Sequence, residues 1–321
     1  MADIPSLLLV AFGVGIVIGL TGMGGGALMT PALIFLGLPP TTAVANDLVA
    51  AAVNKTVGAA THWRQGSPDL RLAAWLVTGS VPTAAAGGWI INQIGSPDEQ
   101  QAFVKLAIGC ALLLAAGTYI LRILLNMRRT IREVADTGHV RPGGAITVRP
   151  ASTLLVGALG GLLVGITSVG SGSLIMVALL MLYPRLAPSR LVGTDLVQAI
   201  PLVIAAAVGH VVYVGVDWSV LLPLIVGGAP GTYLGARLTS WVPQATVRRG
   251  IAIVLTLTGL ALLQVPPVWV GVTGAALLVL GPVAWGVVRR THGLPPFAEV
   301  TNEDLHTAAA RLPRKVSSHE R

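Results

Sequence analysis

The chain has 321 residues, 54% of them apolar and only 11% charged, where a soluble domain carries about 25% charged residues. That balance excludes both a soluble globule and a disordered chain. The net charge of +8 is not a nucleic-acid signature: aromatics are only 5%, and the basic residues sit between apolar runs and in the tail, as in the cytoplasmic loops of membrane proteins.

Residues 4–46, 72–97, 106–121, 150–184, 196–216, 218–236 and 250–288 contain no Asp, Glu, Lys or Arg. A stretch of about 18 apolar residues can cross a bilayer, and lipid admits only elements that satisfy their own backbone groups. No alternating barrel strands are present, so the expectation is an all-α polytopic membrane protein. Apolar segments fall at 6–36, 41–62, 70–93, 102–124, 151–183, 188–213, 219–236, 248–264 and 268–288. The N-terminus lacks the basic start of a signal peptide and is read as retained. The single cysteine, Cys110, lies within an apolar run, which gives no thiol metal site.

The first and fifth segments are too long for one straight crossing. Each is interrupted, by Thr21-Gly-Met-Gly-Gly-Gly26 and by Thr167-Ser-Val-Gly-Ser-Gly172. Glycine costs about 1 kcal/mol in a helix relative to alanine, so both stretches are expected to unwind. They belong to an internal repeat. At a spacing of 146, Gly19, Thr21, Gly24, Gly26 and Leu28 match Gly165, Thr167, Gly170, Gly172 and Leu174. At a spacing of 148, Pro40, Asp47, His62, Asp69, Gly79, Pro82 and Gly87 match Pro188, Asp195, His210, Asp217, Gly227, Pro230 and Gly235. Matched Asp, His and Pro at constant spacing point to duplication.

Arginines then orient the halves. Segments 62–71, 122–149, 237–249 and the stretch from Arg289 are basic and expected inside, whereas 95–101, 214–218 and 264–269 have no Lys or Arg. The repeat partners 62–69 and 210–217 therefore fall on opposite sides, which makes the repeats inverted. The arrangement expected is two inverted-topology repeats with seven full crossings and two broken re-entrant helical hairpins, N-terminus out and C-terminus in. If each broken segment crossed once instead, the three arginines of 237–249 would lie outside. The divisions are a first repeat (1–125), a basic cytoplasmic loop (126–149), a second repeat with an extra C-terminal helix (150–290) and a polar tail (291–321).

The two breaks are the candidate substrate site. Unwound starts of half-helices leave N–H groups unpaired at a positive dipole end, which attracts anions. Thr21, Gly22, Gly24, Gly25 and Gly26, with Thr167, Ser168, Gly170, Ser171, Gly172 and Ser173, would bind a small anionic solute. The competing reading, tight helix packing through glycine, loses ground because the motif occurs twice, each time with Thr. Asp47 and Asp195 are intramembrane carboxylates at matching positions, expected either to couple a proton or to cap a helix start. Lys55, beside Asn54, either pairs with the substrate or snorkels to the cytoplasmic surface. His62 and His210 are expected to anchor helix ends at the interface.

Gly19-Leu-Thr-Gly-Met-Gly-Gly-Gly26 followed by Pro31, with Gly165-Ile-Thr-Ser-Val-Gly-Ser-Gly172 and Gly193-Thr-Asp-Leu196, resembles the sulfite exporter TauE/SafE family over about residues 6–264. The resemblance implies a carrier of sulfite, thiosulfate, sulfoacetate or another organosulfonate in a prokaryotic cytoplasmic membrane. An anion channel, or a carrier of an unrelated anionic metabolite, is the alternative. No nucleotide-binding loop, nucleophile elbow or zinc-protease motif occurs, so neither an enzyme nor a cofactor is expected. The partners expected are the solute and the lipid bilayer, not nucleic acid.

Overall fold

The computed structural model describes residues 3–21, 25–62, 68–137, 147–170, 172–184, 186, 188–238, 241, 244–296 and 301–310. The described residues form α1 (Ile4–Thr21), α2 (Gly26–Phe35), α3 (Pro40–His62), α4 (Leu70–Asn92), α5 (Pro97–Thr137), α6 (Pro150–Thr167), α7 (Leu174–Leu182), α8 (Pro188–Tyr213), α9 (Trp218–Leu238), α10 (Gln244–Leu262), α11 (Pro267–Thr291) and α12 (Asn302–Ala310). Both long segments are broken at their glycine motifs, giving α1 with α2 and α6 with α7. Many large apolar side chains point outward, among them Leu9, Val212, Trp218, Val226 and Leu278, the surface a lipid solvent favours.

Helix starts repeat at the spacings read from the sequence: Ile4 with Pro150 at 146, and Pro40 with Pro188 and Leu70 with Trp218 at 148. Asp69 caps α4 by accepting from the Leu72 N–H (3.1 Å). Its partner Asp217 accepts from the N–H (2.9 Å) and hydroxyl (2.6 Å) of Ser219 at the start of α9. The same residue type does the same local work in both halves.

Glycines set how the halves interlock. A Cβ at Gly227, Gly231 or Gly235 of α9 would strike the backbone of Leu8, Phe12 or Ile16 of α1. The two series rise together, so α1 and α9 run parallel. Gly157 meets Leu76, Gly161 meets Ser80, and Gly165 meets Ala84 and Gly87, so α4 and α6 are likewise parallel. Thus the first helix of each half packs on the fourth helix of the other. The start of α4 touches α8 where the Asp69 N–H donates to Thr194 Oγ1 (2.9 Å). Its end touches α8 at Gly88 against Gly209 and His210, so α4 also runs parallel to α8.

Seven of the described helices are long and apolar enough to cross a bilayer: α1, α4, α6, α9, α11, residues Pro97–Arg132 of α5 and Gly193–Tyr213 of α8. The number is the expected one but the membership differs, with α1 and α6 in place of α3 and α10. The polar residues Asn46, Asp47, Asn54 and Lys55 depress the hydropathy of α3, and the apolar part of α10 is only Arg249–Leu262.

The basic loop expected to begin at residue 126 is helical up to Thr137. No Gly or Pro lies between Gly117 and Gly138, so nothing ends the helix. At about 1.5 Å per residue the 41 residues of α5 exceed the bilayer thickness. Beyond it, Ile131 and Val134 bury against Leu294, Ala308 and Ala309, which docks α12 of the polar tail on the extension. The Arg129 guanidinium reaches across to donate to the Leu186 carbonyl (2.7 Å).

Candidate functional site

The second break turns on Ser168, the C-cap of α6, whose φ of 60° is left-handed. That conformation costs a non-glycine residue about 1–2 kcal/mol, a strain that structures retain most often at functional sites. Gly170 follows at φ 116°, where a side chain is strained whatever space surrounds it. Neither the N-cap of α2, Gly25, nor that of α7, Ser173, makes a side-chain capping bond. The first-turn N–H groups of both short helices therefore have no side-chain cap, although Leu28 donates to the Gly25 carbonyl (3.0 Å) and Leu174 to that of Gly170 (3.2 Å).

The two breaks meet. A Cβ on Gly26, the first residue of α2, would overlap the carbonyl and hydroxyl of Ser168. Asp47 of α3 fastens the contact. Its Oδ2 accepts from Thr30 Oγ1 of α2 and from Ser168 Oγ at 2.9 Å, and it is 2% exposed. A cap for its own helix, one of the expected roles, is not what Asp47 forms. It joins three elements from both halves.

Asp195, its repeat partner, is buried in different company. Gln198 Nε2 donates to Asp195 Oδ1 at 3.0 Å, and the guanidinium of Arg122 on α5 lies within electrostatic reach. Lys55 is within reach of both Asp47 and Asp195. Its charge therefore acts on two resident carboxylates. Asn46, Asn54 and Gln198 are buried, and their side-chain carbonyl oxygens find no partner among the described residues. Such groups in lipid are costly and point to function.

The other expected site residues divide. Thr21 and Thr167 donate to the carbonyls four residues back, Val17 (2.7 Å) and Leu163 (2.6 Å), and Thr167 Oγ1 also accepts from the Val169 N–H (3.1 Å). Hydroxyls used in this way close helix ends. Gly25 and Ser173 are buried at the starts of α2 and α7, with Gly172 in the preceding turn. Asn54 packs where α3 meets Gly228 of α9. Gly22, Gly24 and Ser171 lie outside the described residues, as does the side chain of His62. His210 is fully buried, its Nδ1 3.1 Å from the Ala206 carbonyl. The solvent-facing anchor expected at His210 is therefore corrected to a buried side chain, on a stretch of α8 whose backbone Gly88 of α4 approaches closely.

Three residues escaped sequence reasoning. Thr30 has Met176 as its repeat partner and Gln198 has Ala50, so a search for matches passes over both. Arg122 reads as the first charge of a loop. The usable signal was the Asp195-x-x-Gln198 spacing, which puts two polar groups on one helical face. Among the described residues no group of three or more His, Cys, Asp or Glu could hold a metal ion.

The family model for the sulfite exporter TauE/SafE matches residues 7–262. The chain is 34% identical over 259 residues to a Bacillus subtilis protein named probable membrane transporter protein YjnA, covering 80% of this chain and 99% of that one. It is 26% identical over 258 residues to B. subtilis probable membrane transporter protein YdhB, covering 80% and 99%. No solved structure matches. Both relatives are bacterial, and the family is one of transporters, not of enzymes. A many-helix bundle with lipid-facing apolar residues, two broken helices in contact and a family match over most of its length leads to one conclusion: this chain is a multi-pass membrane transporter and belongs to the TauE/SafE sulfite exporter family.

Proposed function

We propose that the protein is a secondary transporter that carries a small sulfur-containing anion across the cytoplasmic membrane. Sulfite, thiosulfate, sulfoacetate and other organosulfonates form the substrate class. The anion binds between the two breaks, on N–H groups at the starts of α2 and α7 that no side chain caps and on nearby hydroxyls, with Asn54 and Lys55 lining the approach. The observation that carries the reading is the contact of Gly26 with Ser168 under Asp47. It brings the start of α2 against the left-handed cap of α6 in a buried interior, where oriented polar groups act strongly on a charge.

The halves are inverted in this reading, with the N-terminus outside and the C-terminus inside. Support comes from helix direction. α4 runs parallel to α8, and α8 joins α9 through residues 214–217 alone, a turn that sends a crossing helix back. α9 then opposes α4, its repeat partner. The same logic supports re-entrant breaks. An 18-residue helix is about 27 Å long, so two opposed full crossings would end on opposite faces, whereas the breaks that follow α1 and α6 meet at Gly26 and Ser168. Coupling to a proton falls to Asp47 or Asp195.

Uptake of labelled sulfite, thiosulfate and sulfoacetate into proteoliposomes tests the reading. Saturable flux of at least one of them is expected, with half-saturation reached at carrier-like rates. Flux of none, or voltage-driven current far above carrier turnover, counts against it.

A further inference from the structure

We infer that the carboxylate of Asp47 occupies the oxyanion site itself, so that a substrate anion enters only when a proton displaces that carboxylate from Thr30 and Ser168. The inference rests on the transporter reading above and commits it to one carboxylate, two donors and one exchange.

The geometry is that of a filled anion cradle. Two hydroxyls from different halves, Thr30 on α2 and Ser168 in the second break, both donate to Asp47 Oδ2. Thr30 is fully buried and Ser168 is 5% exposed. A hydroxyl has one proton to give, so while Asp47 is ionised neither donor is available to a solute. Two negative oxyanions cannot share the pocket: at a few ångströms their repulsion in a protein interior is several kcal/mol. A protonated Asp47 no longer attracts these donors as an ion does. It can itself donate, and Ser168 and Thr30 turn to the incoming oxygen. The proton comes from the aqueous side that supplies the anion and leaves with it on the other side, so one negative charge replaces another and none is left unpaired.

The charges around Asp47 agree with a single exchange. α1, α2 and residues 167–182 contain no titratable side chain. α3 contributes Lys55, within reach of Asp47, and α8 contributes Asp195, which shares Lys55 and has Arg122 of α5 beside it. On α9 the titratable residues Tyr233 and Arg237 lie beyond Gly228, where that helix meets Asn54. Asp195 lacks the two-hydroxyl cradle: position 176, opposite Thr30 in the repeat, is Met. Only one of the paired carboxylates is held where a substrate oxygen would sit.

Two flux assays on the full chain in proteoliposomes test this, using whichever sulfur anion the wild type carries. Exchange of labelled for unlabelled anion at equal pH on both faces needs no coupling; uptake against an imposed pH gradient does. The wild type is expected to accelerate several-fold under an inward proton gradient. In D47N, isosteric but unable to ionise, uptake should no longer respond to the gradient, whatever its rate of exchange. S168A should raise KM for the anion about tenfold, the effect of losing one hydrogen bond to a charged group, and its pH–uptake profile should move toward alkaline pH, with S168T restoring both. T30V should behave as S168A does. A merely structural role for Ser168 would lower the amount of folded protein or kcat without moving KM or the pH profile. Gradient acceleration retained in D47N overturns the inference and leaves the transporter reading standing, as does unchanged KM in both S168A and T30V. Absence of exchange in the wild type with every anion removes both. Should D47N fail to fold, the S168A and T30V profiles decide alone.

Discussion

Replacing Gly26 with alanine probes whether the two breaks touch. The added Cβ would fall on the carbonyl carbon and oxygen of Ser168 as well as its hydroxyl. Those are backbone atoms at both ends of the contact, so no flexible side chain can turn aside. Overpacking a well-filled core costs about 1–3 kcal/mol, and a backbone-to-backbone clash belongs at the upper end, about 3 kcal/mol. The intrinsic helix preference for alanine, about 0.5–1 kcal/mol, offsets a fraction of it. Gly117 supplies the control: it lies within α5 with nothing within 4 Å of its added Cβ, so G117A keeps the preference without the clash. Thermal unfolding in detergent, read by tryptophan fluorescence, should place G26A well below wild type and G117A at or slightly above it. Uptake should be lost in G26A at temperatures where it is still folded. If G26A melts with the wild type and transports normally, the two breaks are not in contact and the site dissolves.

Other expectations follow from separate parts of the molecule. G170V puts a β-branched residue at φ 116°, a conformation costing a non-glycine side chain about 1–3 kcal/mol; it should abolish uptake while membrane insertion, followed by fractionation, is unaffected. In a chain whose one cysteine is replaced by C110S, R64C and W218C should react with an impermeant maleimide from opposite faces of the membrane; labelling from one face would end the inverted arrangement. Truncation after Thr291 uncovers Ile131 and Val134, each about 2 kcal/mol of apolar burial, and should speed trypsin cleavage at Arg132 without stopping uptake. Asp304 is held below the usual carboxylate range, first by the Thr301 backbone N–H and then by its hydroxyl. Its folded value is depressed, so its contribution is present above the unfolded value of about 3.9 and fades as pH falls through the folded one. Docking of α12 on α5, followed by hydrogen exchange of the α12 amides corrected for the intrinsic rate at each pH, should accordingly be constant from about pH 5 to 8 and loosen only in stronger acid.

The frame was legible in the sequence because the bilayer imposes it. Lipid forces apolar helices, and a duplicated Asp, His and Pro pattern at fixed spacing transfers element by element: Asp69 and Asp217 cap matching helices, and Gly87 and Gly235 are where helices touch. The glycine breaks were legible for the same reason, since an overlong apolar run with four glycines or serines in six residues has few helical options. What sequence could not give was partnership. That Thr30 faces Asp47, that Arg122 turns inward to Asp195 and that His210 lies under Gly88 depend on tilt and rotation of helices whose outer faces are uniformly apolar, and no periodicity encodes those. The extension of α5 failed for a simpler reason: charge was read as loop, although Arg, Glu and Leu propagate a helix as well outside the membrane as within it.

Duplication and divergence therefore act on different parts of this protein. The repeated residues, Gly26 with Gly172, Thr21 with Thr167 and Asp47 with Asp195, build two halves that interlock. The unrepeated ones decide what the interlocked halves can do. A site with full two-fold symmetry would hold two equivalent carboxylates, each competing for donors, and two like charges near one cavity would exclude an anion in every state. Thr30 and Ser168 give Asp47 an anion cradle, while Asp195 accepts from Gln198 and has Arg122 within reach besides the Lys55 that both carboxylates share. The asymmetry leaves one carboxylate with a second cation of its own and one hydrogen-bonded by hydroxyls that a substrate oxygen can also use, which is the least a single proton-for-anion exchange requires.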